Sequence, residues 1–152
     1  MVGPEGVVAA WGPTSHRFGL ASVTKLFAAY AALVAVEEGT LDLDEPAGPT
    51  GASGATVRHL LAHAAGLGPD SGALAAVGAR RIYSNAGFDA LAAHMAERSA
   101  MEATEYVVAA VLEPLGLTHT RFTAPSLAHG LSSSVRDVAR FPGAAPADAH
   151  RP

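Results

Sequence analysis

The feature that most constrains the fold is an uninterrupted apolar run at residues 26–36, directly behind a short polar segment at residues 22–25. Alanine recurs through the run and would let neighbouring elements approach closely. A helix that is apolar on every side is normally buried at the centre of a domain. Gly39 follows two glutamates and is a typical residue for ending a helix. The sequence therefore predicts a central helix over residues 22–38.

Ser22 and Lys25 lie at the start of this helix, three residues apart and therefore on one face. Lys25 is the only lysine in a chain with nine arginines. A buried lysine can lose its proton, whereas arginine in practice cannot. An amine one turn from a hydroxyl can activate a serine as a nucleophile. The alternative, which these two residues alone leave open, is a helix cap beside a surface charge.

Length and composition indicate one globular domain rather than a disordered or membrane-spanning chain. The chain has 152 residues, 49% of them hydrophobic and 16% charged, with a formal net charge of −4 and no cysteine. No basic block suggests nucleic acid as a partner, and the eleven-residue apolar run is too short to span a bilayer. The N-terminal residues lack the pattern of a signal peptide, so a cytoplasmic location is the default expectation.

Local patterns predict further elements around the central helix. We expect a strand over residues 6–11 and an extended piece over 17–20, which together would form an N-terminal hairpin. Thr56 would cap a short helix over residues 57–64, while residues 73–81 are ambiguous. Three later helices are predicted: one after residue 85 with apolar residues Phe88, Leu91, Ala92 and Met95, one over 104–113, and a short one from Ser134 to residue 141. The tail, residues 142–152, has no periodicity and is predicted to be disordered.

Six segments, in this order and spacing, resemble the serine β-lactamase and penicillin-binding protein superfamily, in its class C-like and esterase branch. Residues 18–25 (FGLASVTK) resemble the nucleophile segment, and Tyr83-Ser84-Asn85 resembles the Tyr-x-Asn motif. The other four are residues 37–44, residues 56–63 with 66–67, residues 113–117, and residues 130–134 with Asp137. The resemblance implies an α+β, β-lactamase/transpeptidase-like fold, of which this chain would hold mainly the helical part and the N-terminal hairpin.

The resemblance also implies a mechanism and a set of site residues. Ser22 would attack an acyl carbon, and its backbone N–H would form half of an oxyanion hole. Lys25 and Tyr83 would transfer protons, and Asn85 would bind the substrate and hold the lysine. The substrate would be an ester or amide: a β-lactam, a peptide ending in D-Ala, or a small ester. No cofactor or metal is implied.

Two of these residues have a simpler structural interpretation. Tyr83 could be a buried tyrosine, and Asn85 could cap the following helix. His59 and His63, at i and i+4, have the spacing of a metal-ligand pair, but the resemblance implies that this segment is structural.

One expected motif is missing from the chain. Family members carry a Lys-Thr-Gly or His-x-Gly triplet on a later strand, and no Lys-x-Gly or His-x-Gly occurs here. The resemblance therefore covers about the first half of a family member, which predicts a partial domain over residues 1–141 with the rest of the antiparallel sheet missing. We expect weak stability, with self-association through an unpaired sheet edge or dependence on a complementing fragment.

Two hypotheses about function stay open at this point. The chain is either a serine hydrolase that forms an acyl-enzyme, or an inactive fragment or pseudoenzyme that acts at most as a binding module.

Overall fold

The computed structural model describes residues 2–3 and 6–141. Five α-helices form within them: α1 Thr24–Glu37, α2 Val57–Leu61, α3 Asn85–Ser99, α4 Ala103–Val107 and α5 Val135–Val138. Five short strands accompany them: β1 Val2–Gly3, β2 Gly6–Val7, β3 Arg17–Gly19, β4 Arg121–Phe122 and β5 Leu131–Ser134. The predicted disorder of residues 142–152 lies outside the described residues. The architecture is mixed α+β, as predicted.

Helix α1 is the centre of the core, preceded by a single 3₁₀ turn, Ala21–Val23. Ala28, Ala31, Ala32 and Ala35 are buried together with the larger Phe27, and α4 and residues 108–112 pack against the helix. The helix ends before Gly39, whose φ of +74° suits glycine. Leu26 and Leu33 are 57% and 49% exposed, so one apolar stripe of the helix is uncovered in this part of the chain.

Three strands form an antiparallel sheet in the order β3-β5-β4. Phe18 pairs with Ser133, and Phe122 pairs with Leu131. This sheet is tied to the start of α1, because the backbone N–H of Leu131 donates to the Thr24 hydroxyl at 3.1 Å. A hydrogen bond therefore joins the start of α1 to β5.

The predicted pairing of the N-terminal hairpin was wrong. The structure has a hairpin at the N-terminus, but it joins β1 to β2, and residues 8–11 do not continue the strand. Residues 17–19 pair instead with β5. Pairing with β5 is more favourable than pairing with residues 8–11, because β5 carries Leu131, which is buried in the core. Residues 8–11 are exposed, so pairing with them would bury little apolar surface.

The remaining helices follow the predicted pattern closely. Helix α3 buries Phe88, Leu91 and Met95, and Ala92 is half-buried. Helix α4 continues into a π-helical turn, Val108–Leu112, so the predicted segment 104–113 is helical but changes type within its length. The predicted helix over 57–64 is shorter, since α2 ends at Leu61. No helix in the described ranges is long and apolar enough to cross a bilayer.

Candidate active site

The turn before α1 presents Ser22 to solvent and Lys25 to the interior. Ser22 is exposed, whereas Lys25 is only 5% exposed. Lys25 Nζ lies 3.4 Å from Ser22 Oγ, as their spacing on one helical face predicts. Ala21, just before the serine, has a φ of +45°, in the left-handed region that non-glycine residues rarely adopt. The serine thus stands on a sharply turned backbone in front of the buried amine.

Two carbonyl oxygens hold the Lys25 side chain. Its Nζ donates to Asn85 Oδ1 at 2.8 Å and to the backbone oxygen of Ala128 at 2.9 Å. Both oxygens can only accept, so each takes one N–H of the lysine. An ammonium group then has one further N–H directed toward Ser22, while a neutral amine has its lone pair there. The arrangement can therefore both donate to the serine hydroxyl and accept its proton.

Tyr83 completes the group on its solvent side. Tyr83 is 48% exposed, and its ring centroid lies 4.8 Å from Lys25 Nζ. Hydrogen bonds from Lys25 and Ser22 hold the pKa of the Tyr83 phenol below its usual value, because they favour the phenolate. The buried-tyrosine reading is thus wrong.

Asn85 is the first residue of α3, and its orientation is fixed from both ends. Its Nδ2 donates to Asp70 Oδ1 at 3.0 Å while its Oδ1 faces Lys25. The helix cap is Ser84, whose hydroxyl accepts from the Gly87 N–H at 2.9 Å and donates to the Gly68 oxygen at 2.6 Å. Since Ser84 supplies the cap, the side chain of Asn85 is left to bind the lysine.

The structure brings together all four residues singled out in the sequence: Ser22, Lys25, Tyr83 and Asn85. Sequence reasoning missed Asp70 and the Ala128 carbonyl. A backbone oxygen leaves no signal in a sequence, and Asp70 sits in a loop without a recognisable pattern.

The two histidines have separate structural contacts. His59 Nδ1 accepts from the Thr56 N–H at 3.2 Å in the cap of α2, and His63 Nδ1 accepts from the Ser84 N–H at 3.1 Å. Within residues 2–3 and 6–141 no cluster of three or more side chains is arranged to hold a metal ion.

Known proteins share sequence and fold with this chain. The sequence profile of the Beta-lactamase family matches residues 5–151. The chain belongs to the Beta-lactamase family. A β-lactamase from Mycobacterium bovis, Mb2281c, is 50% identical, with a TM-score of 0.88 over 93% of this chain and 52% of its own. No curated protein matches the chain.

Two more distant structures have the same fold. An octameric penicillin-binding protein homologue from Pyrococcus abyssi is 26% identical, with a TM-score of 0.73 over 84% of this chain and 44% of its own. A D-amino acid amidase from Ochrobactrum anthropi is 22% identical, with a TM-score of 0.77 over 86% of this chain and 55% of its own. The resemblance and the fold class inferred from the sequence are confirmed, and the chain spans about half the length of these relatives.

Proposed function

We propose that the chain is a serine hydrolase that acts on an ester or amide through an acyl-enzyme on Ser22. The observation that carries this is the buried lysine within 3.4 Å of an exposed serine hydroxyl, with Tyr83 beside both. A nucleophile, a proton acceptor and a residue that orients the acceptor are the parts that covalent catalysis needs. Asn85 supplies the orienting contact here.

In the proposed reaction these residues accept and return every proton that moves. Ser22 Oγ forms a bond to the acyl carbon, and its proton passes to the unprotonated member of the Lys25–Tyr83 pair, the Lys25 amine or the Tyr83 phenolate. The same pair returns the proton to the departing alkoxide or amine. Water then attacks the acyl-enzyme, gives a proton to the pair, and Ser22 recovers its hydrogen as the acid leaves. The lowered pKa of the Tyr83 phenol favours this acceptor role at moderate pH.

The names of the relatives define the range of substrates to test. They include a β-lactamase, penicillin-binding proteins and a D-amino acid amidase. All three chemistries transfer an acyl group, so a β-lactam, a peptide ending in D-Ala and a small ester are the candidate substrates. The Ser22 N–H would supply one donor of the oxyanion hole. A site that lacks the second donor typically reacts about 10²–10³ more slowly.

The first prediction is that Ser22 reacts with a fluorophosphonate probe. The serine oxygen would bond to phosphorus with loss of fluoride, and its proton would go to the Lys25 and Tyr83 pair. Intact mass should show a single adduct on the parent chain and none on Ser22→Ala. Ser15→Ala is the matched control, since Ser15 is also exposed, and it should label like the parent.

Variants of the proton-transfer groups extend this test. Lys25→Met and Tyr83→Phe should each slow labelling, by roughly 10²–10⁴ for a lost acid–base group. If folded parent protein gives no adduct, Ser22 is not activated in this chain, and the alternative of an inactive binding module replaces the proposal.

A further inference from the structure

His63 holds the segment that carries Tyr83 through two backbone contacts. Its carbonyl oxygen accepts from the Ile82 N–H at 2.9 Å, and its Nδ1 accepts from the Ser84 N–H at 3.1 Å. These bonds lie immediately before and after Tyr83. The imidazole also packs against the phenol, with ring centroids 4.7 Å apart and planes at 35°. One residue therefore fixes both the backbone and the ring of Tyr83.

The conformation of His63 is itself unusual. Its φ is +57°, and left-handed backbone costs a non-glycine residue about 1–2 kcal/mol. The side chain is buried and lies 5.3 Å from the ring of Phe88 on α3. Such a conformation persists only where the surroundings determine it, and it is often found at functional sites.

The contacts of His63 require a neutral imidazole. An N–H of the backbone can only donate, so Nδ1 must be unprotonated, and the ring hydrogen is then on Nε2. Burial is the main cause that holds the pKa of His63 below its usual value, and the positive charges of Arg81 and Lys25 add to it. The groups that face the ring are thus Lys25 from α1, Arg81 and Tyr83 from the segment before α3, and the apolar Phe88 from α3.

The lowered pKa of His63 determines how this residue affects stability as pH changes. The folded chain binds a proton at His63 less readily than the unfolded chain does. Its neutral form therefore stabilises the fold above the ordinary histidine pKa, and that contribution is lost as pH falls through the lower folded value. Protonation would place a hydrogen on Nδ1 and remove the acceptor for Ser84.

We propose that neutral His63 is a positioning residue that holds the Tyr83 phenol against Ser22 and Lys25, and that protonating it in acid releases the phenol. The role of His63 in catalysis rests on the proposed function, whereas its effect on the Tyr83 phenol does not. A displacement of about 1 Å at a reacting group can cost roughly 10² in rate.

Two variants of the full chain separate this role from general packing. His63→Ala removes the ring and the acceptor for Ser84. His63→Asn removes the titrating ring but keeps an oxygen acceptor, and asparagine tolerates left-handed backbone. Circular dichroism and thermal unfolding identify the folded variants to be compared.

The first readout is the rate of fluorophosphonate labelling against pH. In the parent, the rate should fall in acid at the pKa measured for His63 by NMR. His63→Ala should label roughly 10²-fold more slowly at neutral pH. His63→Asn should recover most of that loss and lack the acid limb set by His63. An unchanged rate and pH profile in both variants would overturn the proposal.

The second readout does not need a reactive serine. Phenolate absorbance follows the titration of tyrosine, and Tyr83→Phe identifies the contribution of Tyr83. In His63→Ala the pKa of Tyr83 should rise toward its ordinary value, because the phenol moves away from Lys25, and in His63→Asn it should stay close to the parental value. If the parent does not label at all, the proposed function fails, but this titration still decides the role of His63: an unchanged Tyr83 titration in His63→Ala would refute it.

Discussion

Ala21 sets the direction from which the backbone enters Ser22. Its φ of +45° is a strained value for alanine, and Ala100, at the end of α3, has a similar φ of +54°. Both residues are exposed, so they form a matched pair that differs in distance from the candidate site along the chain. We interpret the strain beside the proposed nucleophile as a means of holding the serine in place.

Replacing either residue with glycine should relieve the strain. We predict that Ala21→Gly and Ala100→Gly each raise the free energy of unfolding by about 0.5–1 kcal/mol, as measured by denaturant titration, because glycine adopts left-handed backbone without a clash. Only Ala21→Gly should also slow labelling of Ser22, because the freer backbone no longer fixes the hydroxyl. Equal labelling rates for both variants would show that the turn does not position the serine.

Thr24 joins two elements, the start of α1 and strand β5. Its buried hydroxyl is the acceptor for the Leu131 N–H at 3.1 Å. Thr24→Val keeps the side-chain shape but leaves that backbone group without a partner. We predict a loss of about 1–3 kcal/mol in the free energy of unfolding and slower labelling of Ser22, because β5 follows directly on the segment whose Ala128 oxygen holds Lys25.

Thr123→Val is the control for this substitution. Thr123 is exposed and its hydroxyl donates to the Gly130 oxygen at 3.1 Å. That oxygen also accepts from the Thr123 backbone N–H at 2.8 Å, so it keeps a partner in the variant. The control should change stability by less than about 0.5 kcal/mol. If both variants lose the same stability, the link between α1 and β5 is not the cause.

The molecule as a whole exposes an apolar groove that the candidate site does not line. Its volume is about 660 Å³, and it lies between residues 7–14 and α5. Trp11 on its rim is 99% exposed. Exposed apolar surface and an edge strand such as β3 both favour association. We therefore predict that the chain self-associates, and that the groove takes part.

Light scattering after gel filtration tests this at several protein concentrations. The mass should rise with concentration for the parent and stay closer to that of a monomer for Trp11→Ser. Leu74→Ser is the control, since Leu74 is 59% exposed but does not line the groove, and it should behave like the parent. A parent that stays monomeric at about 100 μM would contradict the prediction, because mass action raises the associated fraction as the protein concentration rises.

Features that depend on residues close together in the chain could be predicted from the sequence. The central helix, its glycine stop, the apolar face of α3 and the Ser134 cap of α5 were all predicted, because each follows from residues within a few positions of one another. Ser22 and Lys25 were found for the same reason. Tyr83 and Asn85 came from the resemblance rather than from any local pattern.

The sequence by itself determined the helices and the serine–lysine spacing, since helical periodicity fixes which side chains share a face. Tertiary structure alone decided which strand pairs with Arg17–Gly19, since Ser134 and its neighbours lie more than a hundred residues away. It also decided what holds Lys25, since Asn85 and the Ala128 carbonyl come from distant segments. Contacts of this kind depend on how distant segments pack together. The burial that stabilises them cannot be predicted from the spacing of neighbouring residues.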